Sequence, residues 1–82
     1  MIEYRYHPRL VEQLAEAPLP IRKAFHRTVH LLVQDLRHPS LHAKKYDEAK
    51  DIWQARVSKS WRFYFQIEGD TYTILSLIPH PK

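Results

Sequence analysis

The sequence predicts an α+β domain in the order β-α-α-β-β-β, with two N-terminal helices packed on one face of a small, mainly antiparallel sheet. Three observations carry this. Residues 53–67, WQARVSKSWRFYFQI, alternate between apolar and polar on either side of the turn Ser58-Lys59-Ser60, which is the period of two adjoining strands. Gly69, the only glycine, stands in Glu68-Gly69-Asp70 between two strand-like runs, a hairpin signal because glycine accepts positive φ. From Pro20 to about Leu36 or Arg37 the apolar residues keep helical spacing.

The elements follow in order. Ile2, Tyr4 and Tyr6 alternate with Glu3 and Arg5, a short first strand that His7-Pro8 ends. Pro8 suits the first turn of a helix, and RLVEQLAE from Arg9 to Glu16 puts Leu10, Val11 and Leu14 on one side. Ala17-Pro18-Leu19-Pro20 breaks that helix, and Pro20 opens the second. Its buried stripe is expected to be Ile21, Ala24, Phe25, Thr28, Leu32 and Leu36. Lys23, Arg27, His30, Gln34 and Arg37 make a basic outer face, either solvated or in contact with a nucleic-acid backbone. His38-Pro39-Ser40 stops the helix. Leu41 to Tyr46 is an extended approach to the sheet, Asp47 to Asp51 a charged turn, and Ile52 to Val57, Trp61 to Glu68 and Thr71 to Ile78 an antiparallel meander. The last strand is apolar on both faces, so it is expected to be central or covered by a partner. Tyr72, Ile74 and Ile78 are expected to leave apolar surface on the open face of the sheet.

Eighty-two residues make one domain, spanning 1–82, with a small core. No cysteine is present, which removes disulfides and thiolate chemistry and fits a cytoplasmic protein. The opening MIEYRYHP is not a secretory signal and no apolar run could span a bilayer, so neither membrane nor export is expected. Thirteen Lys and Arg face nine Asp and Glu, a formal net charge of +4, which suits a polyanionic partner and equally suits solubility alone.

The polar face of the meander is where chemistry is expected. Trp53, Ala55 and Val57 share an apolar face with Trp61, Phe63, Phe65 and Ile67, leaving Arg56, Arg62, Tyr64 and Gln66 on the other. A guanidinium on a rigid strand is a good phosphate holder, being planar, always charged and rich in donors. Arg56 and Arg62 could instead pair with Asp47, Glu48, Asp51 or Glu68 at the surface. His26 and His30 stand four apart on a helix, but with no third ligand in sight no metal is expected.

With these elements in this order, the chain resembles the RelE/ParE superfamily of type II toxins. HPSLHAKKY looks like the stretch that leads into that family's sheet with one or two lysines. IWQARV looks like its Trp-x-x-Arg-Val strand, and WRFYF like its aromatic-Arg-aromatic strand. The hairpin in IEGDTYTIL and the apolar last strand ending near His80 complete a match that covers almost the whole chain.

The resemblance implies a small cytoplasmic toxin held inactive by a cognate antitoxin. In its RelE-like branch such a toxin enters the ribosome and cuts mRNA without a metal or cofactor. In its ParE-like branch it inhibits DNA gyrase, and a catalytically inactive antitoxin-binding protein is a further alternative. Metal-independent cutting uses the RNA's own 2′-hydroxyl, which attacks the neighbouring phosphate and expels the 5′-oxygen. The enzyme removes one proton, supplies another and stabilises the phosphorane.

Arg56 and Arg62 match the family's strand arginines and are expected to stabilise charge. His80 is the candidate proton donor, histidine being the side chain that titrates nearest neutrality. Lys44 and Lys45 match the family's lysine position; Lys45 as a base and Lys44 as a phosphate clamp are expected, with Glu48 the competing base. Tyr64 could offer an aromatic platform to a base, and Lys59, Lys23 and Arg27 could add contacts to RNA. The chain reaches Lys82 without the C-terminal tyrosine of many RNA-cutting relatives, a departure that favours the non-nuclease alternatives.

Overall fold

A computed structural model describes residues 2–79, so the expectation on His80 lies outside the described residues. The elements are β1 (Glu3–Tyr6), α1 (Pro8–Glu16), α2 (Leu19–Gln34), a short 3₁₀ turn at Pro39–Leu41, β2 (Lys44–Asp47), β3 (Ile52–Ser58), β4 (Trp61–Glu68) and β5 (Thr71–Pro79). The expected α+β class is what forms. The extended approach before the meander becomes a strand in its own right, so the sheet has five strands in the order β1-β5-β4-β3-β2. All neighbours are antiparallel except β1 and β5, which run parallel. The last strand therefore lies inside the sheet, as its two apolar faces require.

Local chemistry sets the helix ends. His7 Nδ1 accepts from the Arg9 backbone N–H at 3.0 Å, capping α1, and Pro8 occupies its first turn. Leu10 is buried and Leu14 packs against the core, but Val11, expected beside them, is 51% exposed. In α2 the buried residues are Phe25, Val29 and Leu32, with Ile21 and Leu31 packed against the core and Leu36 joining them from beyond the helix end; Val29 belongs to the stripe, which was expected without it. The helix stops at Gln34, not at Leu36 or Arg37, because Asp35 turns extended and its carboxylate accepts from the Arg37 N–H at 3.0 Å. Past Tyr6, the pairing of β1 with β5 ends and α1 takes over that edge. The His7 N–H donates to the Ile74 carbonyl, and Gln13 Oε1 accepts from the Leu77 N–H at 2.8 Å.

The core lies between the helices and one face of the sheet, where Phe63 and Phe65 meet Leu10, Phe25, Leu32, Leu41 and Ala55. Phe25 and Phe63 pack edge to face, their ring centres 5.6 Å apart.

One expectation is overturned here. Tyr72 and Ile74 do not lie on the open face; both are buried in the core. The register explains it. Phe65 pairs with Ile74 and Tyr64 with Ser76, so Leu75 is an extra residue, a bulge that breaks the alternation of β5. Before the bulge Tyr72 and Ile74 face inward; after it Leu77 does, opposite Phe63. Ile78, opposite Arg62, is left on the outer face as expected.

The β4–β5 turn gives a direct test. Gly69 has φ +58°, with nothing near enough to obstruct an added Cβ. Gly69→Ala is expected to cost ~1–2 kcal/mol, the backbone penalty of the left-handed region for an L-residue. A shift in the urea midpoint at unchanged slope would register it. No change would mean that the turn relaxes out of this conformation.

Candidate functional site

The outer face of the sheet, away from the helices, carries the polar residues in cross-strand rows. Register partners share a face, so the pairs Lys44–Gln54, Gln54–Tyr64 and Tyr64–Ser76 form one row, and Arg56–Arg62 and Arg62–Ile78 the next. At one end of these rows His42, Ala43, Lys44, Gln54, Arg56 and Arg62 line a cavity of about 360 Å³.

Two expected cations, Arg56 and Arg62, are thus direct cross-strand neighbours, and Lys44 joins them. None of the three takes part in an ion pair among the described residues, where the only such contact joins Lys45 to Asp51. Two arginines directly opposite on neighbouring strands without carboxylates repel each other, a cost that a shared anion would offset.

Their hydrogen bonds differ. Arg62 Nη1 donates to the Ser58 carbonyl at 2.8 Å and to the Trp61 carbonyl at 3.0 Å, so one arm of its fork ties down the β3–β4 turn. Arg56 Nη1 lies 3.4 Å from His42 Nε2, a long contact. Its Nε is buried and without a partner among the described residues. A buried donor left unmatched is an unusual feature.

His42 is the site residue that sequence reasoning missed. It follows the 3₁₀ turn in the left-handed conformation, φ 48°, uncommon for a residue other than glycine. A guanidinium has no acceptor, so at His42 Nε2 the imidazole must be the acceptor. Strand alternation could not have found it, because His42 is left-handed and precedes the first residue of β2.

Tyr64 lies on the same face, one row on, against Tyr46, with ring centres 4.8 Å apart at 60°. Burial and the neighbouring Tyr46 push its phenol above the ordinary tyrosine value, against a smaller opposing pull from Arg62. The hydroxyl therefore stays protonated at neutral pH and is a donor.

The remaining candidates lie elsewhere. Lys45 pairs with Trp53, whose side chain packs toward the core, so it faces the helix side and sits 5.2 Å over the Trp53 ring. Its contact with Asp51 raises its pKa, the opposite of what a lysine base needs, so it remains an ammonium. Glu48 is exposed in the turn after β2, near enough to Lys45 to add to that rise, and does not line the cavity. Lys59 is exposed in the β3–β4 turn, where its carbonyl accepts from Arg62 at 3.4 Å. Lys23 and Arg27 line a separate hollow with Leu19 and Pro20 on the outer side of α2, with the helix and the sheet between them and Arg56. His30 Nε2 lies 3.1 Å from the Gln34 amide. Among the described residues no three His, Cys, Asp or Glu side chains cluster, and no helix is long and apolar enough to cross a membrane.

A two-helix layer over a five-stranded mixed sheet is the fold this chain shares with solved RelE and YafQ structures. The chain matches the RelE–RelB complex from Pyrococcus horikoshii with TM-score 0.82 and 17% identity, over 99% of this chain and 97% of that one. It matches YafQ from E. coli with TM-score 0.80 and 12% identity, over 96% and 93% of the two chains. It matches the RelBE2 toxin–antitoxin complex from Mycobacterium tuberculosis with TM-score 0.78 and 19% identity, over 98% of each. No protein-family model matches the sequence, and no curated protein does.

Proposed function

We propose that this chain is the toxin of a type II toxin–antitoxin pair, an endoribonuclease that cuts mRNA on the ribosome. The observation that carries the reading is the convergence of Arg56, Arg62, Lys44 and His42 on one cavity without an acidic side chain among its lining residues. The fold likeness supports it, since YafQ and the RelE chains of solved complexes share this architecture.

The roles follow from the geometry. Arg56 and Arg62 present donors to the non-bridging oxygens of one phosphate and gain most as charge builds on the phosphorane. Lys44 adds a point charge at the mouth of the cavity. As Arg56 turns from its long contact with His42 to the phosphate, His42 Nε2 is freed to accept the 2′-hydroxyl proton, while the 2′-oxygen forms its bond to phosphorus. The bond from phosphorus to the 5′-oxygen then breaks, and a proton, the part expected of His80, completes the 5′-hydroxyl. The products are a cyclic phosphate and a 5′-hydroxyl.

An antitoxin partner belongs to the same reading. The archaeal chain was solved in a RelE–RelB complex and the mycobacterial RelBE2 chain in a toxin–antitoxin complex. A cytoplasmic location follows from a ribosomal target.

Primer extension on a translated message is the test. The wild-type chain is expected to leave discrete cuts. Intact message together with slowed supercoiling by purified gyrase would move the reading to the ParE-like alternative. His42→Gly separates fold from chemistry, because glycine suits φ 48°. Stability is expected to stay within ~1 kcal/mol of the parent chain, while cutting falls about 10²–10⁴-fold, as for loss of a general base. Full activity in that variant would remove His42 from the mechanism.

A further inference from the structure

Next to the basic cavity runs a second, apolar groove of about 240 Å³. It is lined by Tyr46 and Tyr64, by Ile52, Leu75 and Ile78, and by Arg9 at the start of α1. The sheet register joins the two hollows. Gln54 and Arg62 line the first, and their cross-strand partners Tyr64 and Ile78 line the second. Tyr46 follows Lys44 by two residues on β2, at the bulge between Lys45 and Asp47. It is 61% exposed, the most exposed large apolar side chain among the described residues, and its ring leans edge-on against Tyr64. The bulge at Leu75 turns an apolar residue toward this groove that strict alternation would have sent inward with Leu77.

We propose that this groove is a nucleobase subsite: it takes the base of a nucleotide whose phosphate lies on Arg56 and Arg62, with Tyr46 as the stacking platform. The proposal rests on the reading of the basic cavity as an RNA phosphate site. Three features select a base over a peptide. The groove has room for one planar ring and is too small for the apolar face of a helix. Its neighbour and its rim are cationic, with no acidic lining residue in either hollow. An exposed tyrosine on an edge strand offers a flat π-face that every base can use. Such stacking is tolerant of base identity, so the subsite holds a base in place; Ser76 and the Tyr64 hydroxyl are the polar groups able to discriminate among bases.

The test uses the full chain and two kinds of probe. One is a tetranucleotide RNA with 2′-methoxy groups throughout, which cannot attack its own phosphates. The other is the same chain with each base removed in turn. Binding is read by fluorescence anisotropy at low and at moderate salt. The intact probe is expected to bind about ten-fold more tightly than the probe lacking the base at one particular position. Tyr46→Phe is expected to keep that difference and Tyr46→Ala to erase it, with unchanged salt dependence, since the phosphate contacts remain. Equal binding of all probes by the unaltered protein would overturn the subsite and leave the phosphate site standing. No binding of any probe would overturn both. If Tyr46→Ala retains the base preference but no longer co-purifies with the antitoxin, the groove is a protein seat and the proposal fails.

Discussion

Arg56→Ala is expected to lower RNA cutting by about 10²–10³-fold, the usual loss when one preorganised donor to a developing oxyanion is removed, while leaving the fold intact. The asymmetry comes from its bonding. Arg56 makes one long contact, to His42, and its Nε has no partner among the described residues. Removing it breaks only the long contact to His42 and takes away a poorly matched buried donor, so the thermal midpoint is expected to hold or rise. Arg62 is the instructive contrast. Its Nη1 also fastens the Ser58 and Trp61 carbonyls, so Arg62→Ala should lose activity and melt earlier. Arg56→Lys keeps the charge without the planar fork and should fall between the two extremes. Primer extension and a thermal melt on the same preparations decide the matter; undiminished cutting by Arg56→Ala would end the role assigned to it.

Phe63→Ala is expected to be the most damaging single change to the fold, at ~3–5 kcal/mol. A chain of this length has ~4–12 kcal/mol of stability in total, so the variant should lose a large share of it and unfold at a much lower urea concentration. Phe63 is fully buried on β4, edge-on to Phe25 and 5.6 Å from Phe65. Its cross-strand neighbours are Ala55 on β3 and Leu77 on β5, and Ala55 is too short to fill the space a lost ring would leave. Phe63→Leu should cost much less, because most of the volume stays. Urea denaturation of both variants gives the comparison. A midpoint for Phe63→Ala close to the parent's would mean that the Phe25–Phe63 contact does not hold the helix layer to the sheet.

Much of this was legible because strand chemistry has a strict period. Arg56 and Arg62 could be placed together, away from the aromatic residues, by counting in twos on each side of a short turn. The helices were legible from spacing and from their prolines, although Asp35 ended α2 earlier than the apolar pattern suggested. The count fails wherever the chain slips by one. In β5 the bulge at Leu75 sent Tyr72, Ile74 and Leu77 all to the core. The outer apolar strip is consequently only partly the one expected: Ile78 keeps its place, and half-buried Leu75 and Tyr64 and exposed Tyr46 stand where Tyr72 and Ile74 were expected. Lys44 and Lys45 posed a related problem. Adjacent residues on a strand must face opposite ways, but which of them joins the arginines depends on the pairing of β2 with β3, and that strand begins only after the 3₁₀ turn at Pro39–Leu41.

The order of residues alone determined the α+β class, the oily and charged sides of the β3–β4 hairpin, and the two arginines as neighbours, because each follows from local periodicity and turn chemistry. Tertiary structure decided the rest: the parallel pairing of β1 with β5, the side of the sheet on which each lysine falls, the entry of His42 into the basic cavity, and the groove beside it. These depend on register, on a bulge and on a left-handed residue. Such features are settled by contacts between segments far apart in the chain, and a one-residue shift in any of them exchanges inside for outside.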